Sequence, residues 1–160
     1  MSFWGALAGG FVGTLVLTSG LRLATELRVT RIDLPFLLGT AFTTDRLRAR
    51  ALGYGLHFVA GLLFAAAYDA VFQAIGQSSW WLGALLGVVH AVFAGTALVN
   101  ILLPLVHPRM ATTFTAADSS PQREPPGFLL LNYGASTPLV MVAIHIVYGA
   151  IVGEFVSLSS

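Results

Sequence analysis

Residues 52–76, LGYGLHFVAGLLFAAAYDAVFQAIG, run for a bilayer's thickness without a Lys or Arg. Crossing the ~30 Å hydrocarbon layer takes about 20 mostly apolar helical residues, so this stretch reads as a membrane span. It also carries His57 and Asp69 among apolar neighbours, and polar groups inside a span are costly enough to mark functional candidates. Twelve residues separate the two, ~18 Å along a helix, so they are not partners on this segment. Asp69, beside Tyr68, is expected near the outer membrane surface, where a carboxylate costs less than at mid-depth.

The rest of the chain follows the same pattern. Of 160 residues, 56% are hydrophobic and 9% charged, with a mean hydropathy of +0.82. A soluble domain carries roughly 25% charged residues. Apolar runs at about 3–25, 80–104 and 138–157 join 52–76 to make four spans, and the loops left over are too small for a soluble domain. The chain is therefore predicted to be one membrane domain over 1–160: an all-α polytopic integral membrane protein with four transmembrane helices and short inner-surface helices.

Every basic residue is Arg, and all eight lie at the end of span 1, between spans 1 and 2, or between spans 3 and 4. Loops rich in Arg stay in the cytoplasm, which places both termini outside. Topology thus accounts for the arginines without any nucleic acid. The absence of Cys removes disulfides, thiolate metal sites and thiol catalysis. Met1-Ser-Phe-Trp has no basic stretch and the first run ends in Arg22, so it reads as a retained anchor rather than a cleaved signal.

Small residues recur at helical spacing: Gly5, Gly9 and Gly13 in span 1, Gly53 and Gly61 in span 2, Gly83, Gly87 and Gly95 in span 3, and Gly149 and Gly153 in span 4. Helix association in lipid relies on close backbone approach, so these predict packing faces. There are more of them than one tight bundle of this size needs, which points to partner helices beyond the chain's own. Between spans 1 and 2, Asp33 and Pro35 read as a helix start, and Thr43, Thr44 and Asp45 as the cap of the helix carrying Arg46, Arg48 and Arg50. Arg22 and Glu26, four apart, are expected to pair. Pro104 and His107-Pro108 are expected to end span 3, residues 109–126 to form a flexible cytoplasmic loop, and Pro138 to open span 4.

One pattern occurs three times: His57 with Gly61, His90 with Ala94, and His145 with Gly149, each His one turn before a small residue. The plain reading is interhelical hydrogen bonding, worth ~1 kcal/mol each. A sharper one takes His57 and His145, each seven residues into its helix from Arg50 and Pro138, as depth-matched axial ligands of a haem. His90 is expected nearer mid-span, outside that pair and outside any compact metal site. A proton or ion path would instead use His57, His90, Asp69 and Glu154, with Asn100 a further polar candidate towards the inner end of span 3. No nucleophile elbow, phosphate loop or close carboxylate pair supports an enzyme.

Gly13-Thr14, Ile32-Asp-Leu-Pro-Phe-Leu-Leu-Gly39, Gly55-Leu-His57 with Gly61 and Tyr68, Leu103-Pro-Leu-Val-His107-Pro108 and His145-Ile-Val-Tyr-Gly149 together resemble uncharacterised four-helix bacterial inner-membrane proteins of the YagU-like kind. The resemblance implies a bacterial cytoplasmic-membrane location and a fold, but no activity. The leading expectation is a non-catalytic accessory, assembly or scaffold subunit, bound to the bilayer and to other membrane helices as a homo-oligomer or within a larger complex. The alternatives are a haem-binding electron carrier using His57 and His145, and a small channel or proton-linked transporter.

Overall fold

The computed structural model describes residues 2–110 and 123–159. Four helices are long and apolar enough to cross a membrane: Phe3–Glu26, Arg46–Ile75, Trp80–Val106 and Thr137–Leu158. In chain order the elements are α1 (Phe3–Glu26), α2 (Leu34–Gly39), α3 (Arg46–Ile75), α4 (Trp80–Phe93), a π-helical stretch (Ala94–Leu102), α5 (Leu103–Val106), a tight turn structure (Phe128–Tyr133) and α6 (Thr137–Leu158). One end of the bundle carries Trp4, Trp80 and Trp81, and the other carries the arginines.

The caps follow the local chemistry. Asp33 Oδ1 accepts from Phe36 N at 3.1 Å with Pro35 in the first turn of α2, and Asp45 Oδ1 accepts from Arg48 N at 2.8 Å to start α3. Arg22 Nε donates to Glu26 Oε1 at 2.9 Å, as their spacing predicts. α6 opens at Thr137 with Pro138 in its first turn, and 127–135 is a separate segment rather than a continuation of that helix. The third long helix passes Pro104 and ends at Val106 with His107 as its cap, where Pro104 and His107-Pro108 are expected to stop it. Proline lacks an N–H and crowds the carbonyl four residues back, here Asn100, and the wider π turns over Ala94–Leu102 absorb that mismatch.

Glycines decide who neighbours whom. On α4 and α6, a Cβ at Gly83 would overlap the Gly149 carbonyl, one at Gly87 the His145 carbonyl, and one at Gly153 the Ser79 carbonyl. The two helices are antiparallel and nearly touching backbone to backbone. Gly5, Gly9 and Gly13 seat α1 against Ser159, Phe155 with Val152, and Tyr148 of α6 in the same antiparallel sense, while Gly10 and Gly61 seat α1 against α3. Gly53 and Gly39 let α2 fold flat onto the start of α3, next to Pro35 and Ala49. Every glycine of the predicted packing faces has a close neighbour within the chain. Gly95 lies against Leu129 and Leu130, and Gly55 alone among the helical glycines meets nothing.

The order of packing is thus α3–α1–α6–α4, an open row. α3 and α4 do not close it by backbone contact; only side chains bridge them, with Phe64 stacked on His90 at 3.7 Å and Tyr68 reaching the same imidazole.

The arginine end is tied by polar contacts between distant segments. Thr30 and Thr137 hydroxyls share a buried bond of 2.7 Å, Arg31 N donates to the Tyr133 carbonyl at 2.9 Å, and Arg109 donates to the Thr40 carbonyl. Residues 111–122, the middle of the loop expected to be flexible, lie outside the described residues; its flanks are held by Arg123 N donating to the Arg109 carbonyl at 2.7 Å. Leu129 and Leu130 take left-handed backbone angles, φ 50° and 62°, a conformation costing side-chain-bearing residues about 1–2 kcal/mol each. Leu130, 1% exposed, repays this by entering the core.

Candidate functional site

Where α3 and the π stretch fail to meet, an apolar cavity of about 280 Å³ remains. Its walls come from five elements. Thr14 and Leu17 stand on α1, Leu34 and Leu38 on α2, His57, Ala60 and Phe64 on α3, His90, Ala94, Leu98, Leu102 and Val106 along the third long helix, and Met141, His145 and Tyr148 on α6. Among the described residues, no Asp, Glu, Lys or Arg lines it. Leu102 and Val106 line the cavity yet remain 48% and 74% exposed, so it opens sideways between helices.

The polar groups gather at one end. Tyr148 Oη donates to the Gly61 carbonyl at 2.5 Å, which fixes the register of the parallel helices α3 and α6. One turn towards the arginine end, that register brings His57 level with His145, as helix arithmetic predicts. His90 joins them. Its ring lies 4.7 Å from that of His145 in an edge-to-face contact. The expectation that His90 stands apart from the pair does not survive the register of α4 on α6. Gly87 sits at the His145 carbonyl, and side chains lean towards their own helix N-terminus, so on antiparallel helices the two rings lean into each other.

Hydrogen bonding assigns the tautomer of His145. A carbonyl can only accept, so His145 Nδ1 carries the proton that it donates to the Met141 carbonyl at 2.7 Å, and Nε2 of the neutral ring is an acceptor. Tyr68 Oη has one partner among the described residues, His90 Nδ1 at 3.3 Å. Whichever of the two donates, the neutral His90 ring keeps Nε2 for a further bond, as a donor when Tyr68 donates and as an acceptor when Nδ1 does. His57 Nε2 is buried with no hydrogen-bond partner among the described residues. Most buried polar atoms are satisfied, and an orphan costs roughly 1–3 kcal/mol, so an unpaired imidazole nitrogen beside a cavity is an unmet demand.

The remaining polar candidates lie elsewhere. Asp69, towards the tryptophan end of α3, is buried within the protein at 2% exposure: Oδ2 accepts from Gln73 Nε2 at 2.7 Å and Oδ1 has no partner among the described residues. It stands one turn beyond Ala65, the residue that meets Gly10 of α1, which draws it inside the α1–α3 seam. Asn100 is half-buried in the π stretch and Glu154 is exposed near the end of α6; neither lines the cavity, nor does Asp69. Among the described residues, no three His, Asp or Glu side chains are placed to hold a metal ion, although three imidazoles share the cavity.

Sequence reading passed over His107 except as a helix stop. It is 3% exposed, its Nε2 donates to the Leu37 carbonyl at 3.1 Å, and its Nδ1 accepts from Arg109 N at 3.2 Å. Burial lowers its pKa below the ordinary histidine value, and the neighbouring Arg109 and Arg123 push the same way. The neutral ring is a structural rivet between α2 and the end of α5.

No family model, curated protein or solved structure matches this chain.

Proposed function

We propose that this is an integral membrane protein that takes an uncharged, membrane-dissolved small molecule into the cleft between α3 and the π stretch. The four apolar helices support the membrane setting. The positive-inside bias supports a cytoplasmic arginine end with both termini outside, and the resemblance to YagU-like proteins supports a bacterial cytoplasmic membrane. One observation carries the functional reading: an apolar cavity open sideways to the lipid zone, ending on histidines of which His57 has a buried, unpartnered nitrogen.

The accessory, assembly or scaffold reading rested on spare glycine faces. With those glycines seating α1, α3, α4 and α6 on one another, the cleft has the stronger claim. A channel or proton path needs Asp69 and Glu154 in line with the histidines, and neither reaches the cleft. The haem reading retains a specific support. His57 and His145 share a level, and the His145 tautomer leaves Nε2 free to ligate. Against it, the Tyr148–Gly61 hydrogen bond crosses the α3–α6 gap one turn, ~6 Å, away and shortens the slot a macrocycle would need.

The test is intact-mass spectrometry and an absorption spectrum of the gently solubilised full chain. An apolar adduct should accompany the wild type and be lost on Leu102→Trp, which plugs the mouth from a half-exposed position. An adduct-free wild type, or an adduct indifferent to the plug, overturns the reading. A Soret band would replace it with the haem one.

A further inference from the structure

The polarity of the cleft runs opposite to that of a phospholipid. Its hydrogen-bonding groups are at the deep end, near the middle of the helices, and its hydrocarbon walls continue towards the arginine end through Leu98, Leu102 and Val106. From His90 to Val106 is sixteen residues, a path of roughly 20 Å. A phospholipid entering from the leaflet on that side would put its charged headgroup against leucines and its acyl ends against imidazoles. With no charged residue among the described residues lining the cavity, a buried ionic head would go uncompensated.

Other features narrow the head. Tyr68 and Tyr148 spend their hydroxyls on His90 and Gly61, so free bonding capacity lies with the imidazoles: His90 Nε2, a donor or an acceptor according to its tautomer, and an acceptor at His145 Nε2. The walls at that end are rings. Phe64 stacks on His90 at 3.7 Å with an interplanar angle of 28°, and Tyr148 stands at 75° to the same imidazole. Flat rings with polar edges prefer this kind of offset or edge-on surrounding.

Taking the cleft as a ligand site, we infer that its occupant is of the quinone or quinol class. This is a flat, uncharged ring bearing carbonyl or hydroxyl oxygens, with a hydrocarbon tail. The ring lies at the histidine end, where a carbonyl oxygen accepts from His90 or a hydroxyl donates to His145. The tail lies along the π stretch and leaves between α3 and α5 towards the arginine end. The inference concerns binding only.

The experiment uses the full chain in phosphatidylcholine nanodiscs, with a decyl-substituted benzoquinone, its reduced quinol, decylbenzene and phosphatidylglycerol as probes. Occupancy is read by native mass spectrometry. Quinone or quinol should bind at least tenfold more tightly than decylbenzene. His90→Phe, which keeps a ring against Phe64, and His145→Leu should each erase about tenfold of that preference while leaving decylbenzene unchanged, the scale of one hydrogen bond in an apolar site. If a variant fails to fold, His90→Gln and His145→Gln take its place, with melting temperature as the control. Equal binding of quinone and decylbenzene, indifferent to both histidines but blocked by Leu102→Trp, would overturn the ring-head inference and leave the cleft reading standing. Failure of every probe to bind would overturn both, and preferential binding of phosphatidylglycerol would overturn the inference.

Discussion

α4 has two flanks, and they are built on opposite principles. Against α6 it presents Gly83 and Gly87, and α6 answers with Gly149 and Gly153, so the backbones almost touch. Towards α3 the third long helix presents His90, Phe93 and Leu98 and meets Phe64 by side chains alone, leaving a cavity beyond. Lipid gives apolar side chains little reason to leave it for one another, so helices in a membrane hold together by close approach and polar bonds. The glycine flank has that approach and is closed. The aromatic flank lacks it and stays open, which is the condition for admitting a third body.

That contrast can be broken most severely at the closed flank. Gly83→Leu drives its Cβ into the Gly149 carbonyl, and backbone cannot step aside. A loss above ~4 kcal/mol and collapse of the monodisperse peak on size exclusion is expected, since overlap of this kind belongs to the exceptional class of substitutions. On the open flank, Phe64→Ala removes the ring on His90 and should cost about 3 kcal/mol, read as a lowered thermal midpoint in detergent, while enlarging the cavity. If Phe64→Ala proved as damaging as Gly83→Leu, the two flanks would not differ as described. Tyr148→Phe deletes only the bond to the Gly61 carbonyl, worth about 1–2 kcal/mol, and should loosen α3 from α6 without unfolding the bundle.

Acid offers a milder probe, remote from both flanks. The folded chain holds His107 below its ordinary pKa, whereas the unfolded chain protonates it near 6.5. Its contribution is complete above about pH 6.5 and is lost as pH falls from there towards the depressed folded value, because the unfolded state then binds the extra proton. His107→Gln should flatten that acid limb of the melting profile. The smallest effect belongs to Gly55→Leu, an exposed position with nothing within 4 Å, where the midpoint should stay put or rise slightly.

Much of this architecture could be read from residue spacing. The four long apolar runs, the Asp33 and Asp45 caps, the Arg22–Glu26 pair and the common depth of His57 and His145 all depend on local chemistry or on counting along one helix. What spacing leaves open is which glycine face meets which. Gly5, Gly83 and Gly149 look alike in sequence, yet the pairing of Gly83 with Gly149 sets the α4–α6 register and so delivers His90 to His145. Asp69 shows the same limit. Distance along α3 places it towards the end away from the arginines, but says nothing of its burial among neighbouring helices. The cavity exists because two helices do not pack, and an absence of packing leaves no motif.

The α1–α6 seam joins the first helix to the last, Gly5 against Ser159 and Gly9 against Phe155. At a synthesis rate of ~5–20 residues per second, α1 waits on the order of ten seconds between its own completion and the appearance of Thr137. During that interval its Gly10 face can already lie on α3, but the Gly5–Gly9–Gly13 face has nothing of its own to sit on. Final closure is therefore a late docking of α6 into a waiting groove. Residues 1–136 and 137–160, co-expressed as separate pieces, should reassemble and co-purify, and Gly9→Leu in the first piece should abolish their association.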